Sequence, residues 1–227
     1  MAFGFRCINM LGMDGYLSWD EKTITDFSEQ NINALYERGF VFTRLGKGQM
    51  TQTRSVRIDL DKFELSSENR RILRKVENVK MIAIDLPHPN YDWRIHKLGF
   101  DFYTQKFGAG TFSANKIKEL LTSKESNSNL LLEYSIENNK VGYCIAYQNN
   151  DWLHYGYPFY DLVNEIPNLG IGMMTKAIVW AKENNKKYVC LGSAQNPAAV
   201  YKTQFKGFEW FDGERWRDDI DELKKIL

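Results

Sequence analysis

The stretch Asn168-Leu169-Gly170-Ile171-Gly172-Met173-Met174 decides the fold. It follows an aromatic segment, residues 152–160, that predicts a β-strand, and it opens an apolar-periodic segment, residues 171–183, that predicts a helix. A glycine turn between a strand and a helix exposes backbone N–H groups at the positive end of the helix dipole, where a phosphate or another anion can bind. Tight turns that need a positive φ angle explain the glycines equally well. The stretch alone leaves both interpretations open.

The residues around this turn alternate between strand and helix patterns. Residues 188–191 predict another strand, residues 192–197 a turn, and the residues after Pro197, among them Tyr201 and Lys202, a short helix. Three segments upstream predict an antiparallel meander: residues 130–137, 141–148 and 152–160. We therefore expect an α/β fold, a mixed α+β arrangement whose mostly antiparallel sheet is flanked by helices.

The N-terminal half predicts further helices and strands, separated from the meander by a polar loop at residues 122–129. The apolar periodicity predicts four helices, at residues 25–38, 68–78, 91–107 and 113–121. Two strands, residues 40–45 and 53–60, are expected to pair across Gly46-Lys47-Gly48, and residues 80–86 predict a third strand.

The composition is that of a folded globular protein, with 43% hydrophobic and 14% aromatic residues. The net charge of +1 excludes a broad basic surface, so any RNA contact would be local. No window approaches the ~20 apolar residues of a membrane span. The N-terminus also lacks the pattern of a signal peptide. We expect a cytoplasmic protein without a membrane partner.

The cysteines Cys7, Cys144 and Cys190 have no paired spacing. We interpret them as buried thiols in a reducing compartment. The histidines lack ligand spacing with these cysteines, so no metal site is expected.

The order of the C-terminal motifs resembles the GNAT acyltransferase domain and, more narrowly, the arginyl- and leucyl-tRNA–protein transferases. That family has a Tyr-Asp before the turn, an Asn-Leu-Gly or Ser-Leu-Gly turn, a strand ending in Leu-Gly, and a Tyr-Lys-x-x-Phe helix. The corresponding segments are Tyr160-Asp161, Asn168-Leu169-Gly170, Leu191-Gly192 and Tyr201-Lys202-Thr203-Gln204-Phe205. Four elements in this order are much more specific than any one of them.

The N-terminal half carries a second resemblance to the same family. The matching segments are Tyr36-Glu37-Arg38-Gly39-Phe40, the pair Arg54 and Arg57, and residues 63–75. Where the family has a Cys-x-x-Cys, this chain has Met50-Thr51-Gln52-Thr53, so a metal or cluster function linked to those cysteines is absent. The resemblance implies a GNAT-like N-terminal region that contacts tRNA, residues 1–121, and a GNAT-like catalytic region, residues 122–227, or one continuous domain.

A basic cluster on the second predicted helix comprises Arg70, Arg71, Arg74 and Lys75. Guanidinium groups make bidentate contacts with phosphate oxygens. The cluster can therefore clamp a tRNA acceptor end, and a solvated helix face is the alternative. The resemblance favours the clamp.

Three residues are candidates for catalysis. Asp161, next to Tyr160 at the end of a predicted strand, can accept a proton from an attacking amine or orient it; capping a turn is the alternative. Tyr201 can protonate the leaving group, or simply pack against neighbouring aromatic rings. The residues that we expect to bind the donor are Lys202 and those of the glycine turn, namely Leu169, Gly170, Ile171 and Gly172.

The resemblance implies a transferase that moves an aminoacyl group from aminoacyl-tRNA to an amine, either a protein N-terminus or a small amine. Transfer would proceed by direct aminolysis, without a cofactor besides the donor. Two alternatives remain open. One is an N-acetyltransferase that uses acetyl-CoA, and the other is a GNAT-like protein that binds RNA or protein without catalysis.

Overall fold

The computed structural model describes residues 16–163 and 166–227, so Cys7 lies outside the described residues. Its strands are β1 (Asp20–Thr23), β2 (Phe40–Phe42), β3 (Gln49–Gln52), β4 (Ser55–Asp59), β5 (Val79–Asp85), β6 (Leu130–Ile136), β7 (Asn139–Gln148), β8 (Trp152–Tyr160), β9 (Tyr188–Ser193), β10 (Phe208–Phe211) and β11 (Trp216–Arg217). Its helices are α1 (Glu29–Glu37), α2 (Ser67–Lys75), α3 (Trp93–Phe107), α4 (Ala114–Thr122), α5 (Leu169–Glu183) and α6 (Ile220–Ile226), with a 3-10 helix at Pro197–Gln204.

Eight strands form the main sheet, in the order β11-β10-β4-β9-β8-β7-β6-β5. Within it only β8 and β9 pair in parallel. Strands β6, β7 and β8 are the predicted meander, and the helices cover the faces of the sheet. The predicted fold class, a mixed and mostly antiparallel sheet flanked by helices, is confirmed.

The predicted pairing of residues 40–45 with 53–60 is wrong. β2 pairs instead with β3, in a separate three-stranded sheet ordered β1-β3-β2, and β4 lies between β9 and β10 in the main sheet. The chain changes sheets at Thr53 and Arg54, after which the Ser55 hydroxyl donates to the Gly39 carbonyl at 2.7 Å. The main sheet thus takes β4 and β5 from residues 1–121 and its other strands from residues 122–227.

Strands β8 and β9 separate after a short pairing. They are in register only from Trp152 with Tyr188 to His154 with Cys190. Beyond that point β8 continues along β7 and β9 continues along β4, and the register of β8 shifts at a bulge that includes Gly156. Two diverging parallel strands leave a gap in the sheet, where the facing edges of β8 and β9 no longer pair with each other.

Helix α5 packs closely against α2 beside this gap. A Cβ atom on Gly172 would lie 2.7 Å from a methyl carbon of Val76, so only glycine allows this approach. The Ser66 side chain and the Asn69 side chain cap the start of α2 reciprocally, as the sequence Ser66-Ser67-Glu68-Asn69 predicts. The contact of Val76 with Gly172 therefore sets the end of α2 against the start of α5.

Candidate functional site

A cavity of about 500 Å³ lies between the C-terminal half of β8, the start of α5, helices α2 and α3, and the 3-10 helix. Its lining is mostly aromatic and apolar, with a few polar groups. The lining residues are Glu68, Ile72, Phe102, Tyr103, Lys106, Phe107, Tyr155, Pro158, Tyr160, Asn168, Gly170, Ile171, Met174, Tyr201 and Gln204. A concave, largely apolar site with a few convergent polar groups is the usual form of a ligand pocket.

Two of the predicted catalytic residues, Tyr160 and Tyr201, meet in this cavity. Tyr160 packs against Phe102, with ring centroids 4.8 Å apart, and its ring lies over Gly170. Tyr201 is 46% exposed; desolvation of the rest of its ring, and then the nearby Tyr160, raise the pKa of its phenol. Tyr201 therefore carries its proton at neutral pH, as a proton donor must.

The start of α5 contributes the turn residues. Asn168 adopts a left-handed conformation, with φ 62°, and makes no side-chain capping bond to the helix. Gly170 and Ile171 line the cavity, where the first amides of a helix favour an anion. Leu169 is buried in the core and Gly172 packs on α2, so these two support the turn without lining the cavity.

Asp161, the third predicted catalytic residue, is outside the described lining of the cavity. Its carboxylate accepts a 2.8 Å hydrogen bond from the Val163 amide, which is the geometry of a turn cap. Its amide donates to the Val141 carbonyl, extending the β7–β8 ladder. Its role as a base stays a prediction.

The ammonium of Lys202 lies in the gap between β8 and β9. It donates to the carbonyls of Leu191 and Ser193 at 2.8 and 2.9 Å, and desolvation lowers its pKa to about 8. These two carbonyls belong to β9 and do not pair with β8. They accept hydrogen bonds from the Lys202 side chain instead. Lys202 anchors the 3-10 helix that carries Tyr201, and direct contact with a donor stays a prediction.

Helix α2 divides its basic cluster between two sides. Glu68 and Ile72 line the cavity, and Arg71 and Lys75 lower the pKa of the Glu68 carboxyl, Arg71 through a 2.6 Å hydrogen bond. Arg71 and Lys75 are each three residues beyond a cavity-lining residue, Glu68 or Ile72, so they lie next to the lining side of the helix, at the rim of the cavity.

Arg70, by contrast, acts on the pKa of Glu64, a carboxyl whose main partner is Lys206. Arg74 is also exposed, and it lies one turn further along the same side of α2. Arg70 and Arg74 are each two residues from Ile72, which lines the cavity, and two residues are about 200° around a helix, so both face away from the cavity. The four cations lie on two sides of α2, and their role as a phosphate clamp stays a prediction.

Sequence reasoning missed the contribution of α3 to this site. Phe102, Tyr103, Lys106 and Phe107 all line the cavity, although no motif marks them. The only available signal was the glycine-rich stop at residues 108–110, which ends the helix at the cavity rim. Tyr155 and Pro158 were likewise missed, because a strand pattern does not tell which residues face a pocket.

In the segment that replaces the family's Cys-x-x-Cys, the two threonine hydroxyls form hydrogen bonds. Thr53 donates to the Leu17 carbonyl at 2.5 Å and accepts from the Gln195 amide at 2.8 Å, and Thr51 bonds to the Ser18 hydroxyl at 2.9 Å. The threonine hydroxyls tie the three-stranded sheet to residues near the 3-10 helix.

Across residues 16–163 and 166–227, no cluster of His, Cys, Asp and Glu is arranged to bind a metal ion. The same residues contain no helix with the length and apolar character that a membrane span requires.

His154 is a buried titratable group close to the strand gap. Tyr36 and His154 share a 2.9 Å hydrogen bond, and desolvation, followed by the charge on Lys202, lowers the pKa of His154 to about 4. An unfolded histidine has a pKa near 6.5. Between these values the unfolded chain binds a proton that the folded chain excludes, so stability must fall as the pH falls from about 6.5 to 4.

We expect His154→Gln to remove the part of this pH dependence that comes from the binding of a proton by His154. The slope of the unfolding free energy against pH should decrease by up to about 1.4 kcal/mol per pH unit between pH 6.5 and 4. Urea melts at several pH values measure it, with the half-buried His96→Gln as the comparison, because desolvation also lowers the pKa of His96 but the shift is not large. An unchanged slope in His154→Gln would show that His154 titrates normally.

No family model matches this chain. An aspartate/glutamate leucyltransferase of Saccharophagus degradans is 24% identical over 171 residues, covering 71% of this chain and 69% of that protein. An aspartate/glutamate leucyltransferase of Ruegeria pomeroyi is 24% identical over 203 residues, covering 86% of this chain and 74% of that protein.

Two solved structures show a lower similarity. The C-terminal domain of a lysylphosphatidylglycerol synthetase from Agrobacterium fabrum aligns with a TM-score of 0.48 and 11% identity, over 78% of this chain and 55% of that chain. L-PGS from Bacillus licheniformis aligns with a TM-score of 0.49 and 12% identity, over 88% of this chain and 70% of that chain.

The named relatives are aminoacyl-transferring enzymes, and they give no particular support to arginyl transfer. The predicted class of enzyme, an acyltransferase or aminoacyltransferase, agrees with the names of these two relatives.

Proposed function

We propose that this protein transfers an aminoacyl group from aminoacyl-tRNA to the N-terminal amine of a polypeptide. The observation that carries the proposal is the cavity at the end of β8, which holds Tyr160 and Tyr201 and has Arg71 and Lys75 at its rim. The names of the two leucyltransferase relatives support the same donor class. A tRNA donor places the reaction in the cytoplasm.

The chemistry is aminolysis of an ester. The acceptor nitrogen attacks the ester carbonyl, the C–N bond forms, and the bond to the ribose oxygen breaks. The amine loses a proton and the leaving oxygen gains one. Tyr201 supplies that proton from its phenol, and the proton that the amine loses returns to the Tyr201 phenolate, so no net proton is gained or lost. The cavity holds the two reactants together, so positioning and proton transfer carry the catalysis.

The cations at the rim favour aminoacyl-tRNA over acyl-CoA. Arg71 and Lys75 stand beside the cavity on α2, where the phosphates of an acceptor stem approaching the cavity would pass. Glu68 holds the Arg71 guanidinium in place, with exposed nitrogen atoms still able to meet a phosphate. The start of α5, in contrast, would suit the pyrophosphate of acetyl-CoA, which makes the N-acetyltransferase the second candidate.

Titrating charged tRNA against the protein tests the proposal. We expect Arg71→Ala/Lys75→Ala to weaken binding and to reduce the slope of log affinity against log salt by up to about 2, since each phosphate contact contributes about 1. Arg70→Ala/Arg74→Ala, on the other side of α2, should change the slope less. Lys224→Ala/Lys225→Ala on α6 is the matched control.

Two results would contradict the proposal. Binding of acetyl-CoA without binding of tRNA would establish the N-acetyltransferase alternative. Binding of tRNA with no transfer to any amine would favour the binding protein without catalysis. Transfer of radiolabelled amino acid from tRNA to peptides beginning with Asp, Glu or Lys measures the reaction and its acceptor directly.

A further inference from the structure

Helix α3 exposes three large aromatic side chains in one row. Trp93, Phe100 and Phe107 are 57%, 39% and 62% exposed, and each is seven residues from the next. Seven residues are close to two helical turns, so the three lie along the same side of the helix. Single exposed apolar side chains are normal, whereas three of them aligned along one side of a helix can form a contact surface. We call these three residues the aromatic row.

The aromatic row leads into the cavity. Phe107, its last member, lines the cavity and stacks on Tyr103, with ring centroids 5.8 Å apart. It also contacts Phe102 edge to face at 6.3 Å. A molecule with one end in the cavity would therefore continue along the row towards Phe100.

The charges beside the row are largely balanced. Lys97 pairs with Asp101 at 2.5 Å, and Arg94 lies 3.5 Å from Asp92. An anionic membrane attracts clusters of several unneutralised cations. The row therefore suits an apolar partner better than an anionic lipid surface.

The dimensions of the row fit a short stretch of polypeptide. Fourteen residues of helix span about 21 Å, which an extended chain covers in about six or seven residues. One face of one helix is well below the roughly 1,000 Å² that a stable dimer buries. Weak contact with a substrate that must leave after transfer agrees with this size.

We propose that the aromatic row docks the polypeptide acceptor of the transferase. The N-terminal amine enters the cavity, and apolar side chains within about the first eight residues pack on Phe100 and then on Trp93. This inference rests on the proposed function and adds a specificity to it. The enzyme selects acceptors by the residues that follow the N-terminus as well as by the N-terminus itself.

The test uses the double variant Trp93→Ser/Phe100→Ser, whose substitutions lie outside the cavity. The acceptors are a decapeptide with Leu at positions 4 and 7, the same decapeptide with Ser there, and a tripeptide with the same first residues. We expect kcat/KM for the Leu decapeptide to fall about tenfold or more, because two apolar contacts are lost. The rates with the Ser decapeptide and the tripeptide should not change. Ile226→Ser, an exposed apolar residue on α6, is the matched control.

Three outcomes would overturn the inference: equal kcat/KM for the Leu and Ser decapeptides in the wild type, an equal loss with all three acceptors, or anionic-vesicle binding that depends on Trp93 and Phe100. Circular dichroism and thermal melts verify that the variants fold.

The fluorescence anisotropy of a labelled Leu decapeptide measures its binding and separates the docking proposal from the proposed function. Binding that depends on the row, without any transfer, would reject the proposed function alone. Transfer without any dependence on the row would reject the docking site alone.

Discussion

Replacing Arg57 by Met is expected to lower the free energy of unfolding by about 3 kcal/mol or more. The Arg57 side chain is 8% exposed and forms ion pairs at 2.8 Å with Glu209 and at 2.7 Å with Glu37. Its guanidinium also lies 4.1 Å from the ring centroids of Tyr188 and Trp216. Without Arg57, the buried Glu209 keeps only Lys62, 2.7 Å away, as a cationic partner, and the contacts of the guanidinium with two rings are lost as well, which is costlier than losing an exposed pair.

Urea denaturation of the wild type and the variant measures this loss. Arg71→Met is the matched control, because it breaks an arginine–glutamate pair whose side chains are each 48% exposed. Exposed pairs contribute about 0–1 kcal/mol. If both variants lost a similar, small amount, the Arg57 network would be shown to contribute no more than a surface pair.

Replacing Tyr201 by Phe is expected to lower kcat for aminoacyl transfer by about 100-fold or more, since general acid catalysis contributes about 10²–10⁴. The substitution removes one hydroxyl from a half-exposed ring on the 3-10 helix and leaves the cavity shape intact. KM for the tRNA should change little, because the proton is needed only as the leaving oxygen departs. Single-turnover transfer from charged tRNA measures the chemical step.

Tyr147→Phe is the control for the loss of a tyrosine hydroxyl. Tyr147 belongs to the cluster between α1 and the start of β8, among the residues that pack on Phe42. Its variant should transfer at the wild-type rate. A Tyr201→Phe enzyme with unchanged kcat would reduce Tyr201 to a packing residue and leave Tyr160 as the candidate donor in the cavity.

Local patterns predicted most of the elements of this fold. The meander, α5 and β9 were expected close to their observed bounds, because apolar periodicity and turn residues act over a few neighbours in the chain. The capping residues of α2 were readable for the same reason. The pairing of β2 was not, because the hydrogen-bond partner of a strand depends on which backbone comes near it in space.

The same distinction between local pattern and spatial packing applies to the candidate site. The sequence by itself determined that Tyr160, Gly170 and Tyr201 are elements of one motif order, and their meeting in the cavity agrees with that order. Only the tertiary structure decided that Lys202 turns inwards to the carbonyls of β9 and that α2 presents Arg71 and Lys75, but not Arg70 and Arg74, towards the cavity. It also brought α3 and its aromatic row to the end of β8. The physical reason is that a motif specifies residue types and spacing, whereas the direction of a side chain is set by the packing of elements distant in sequence.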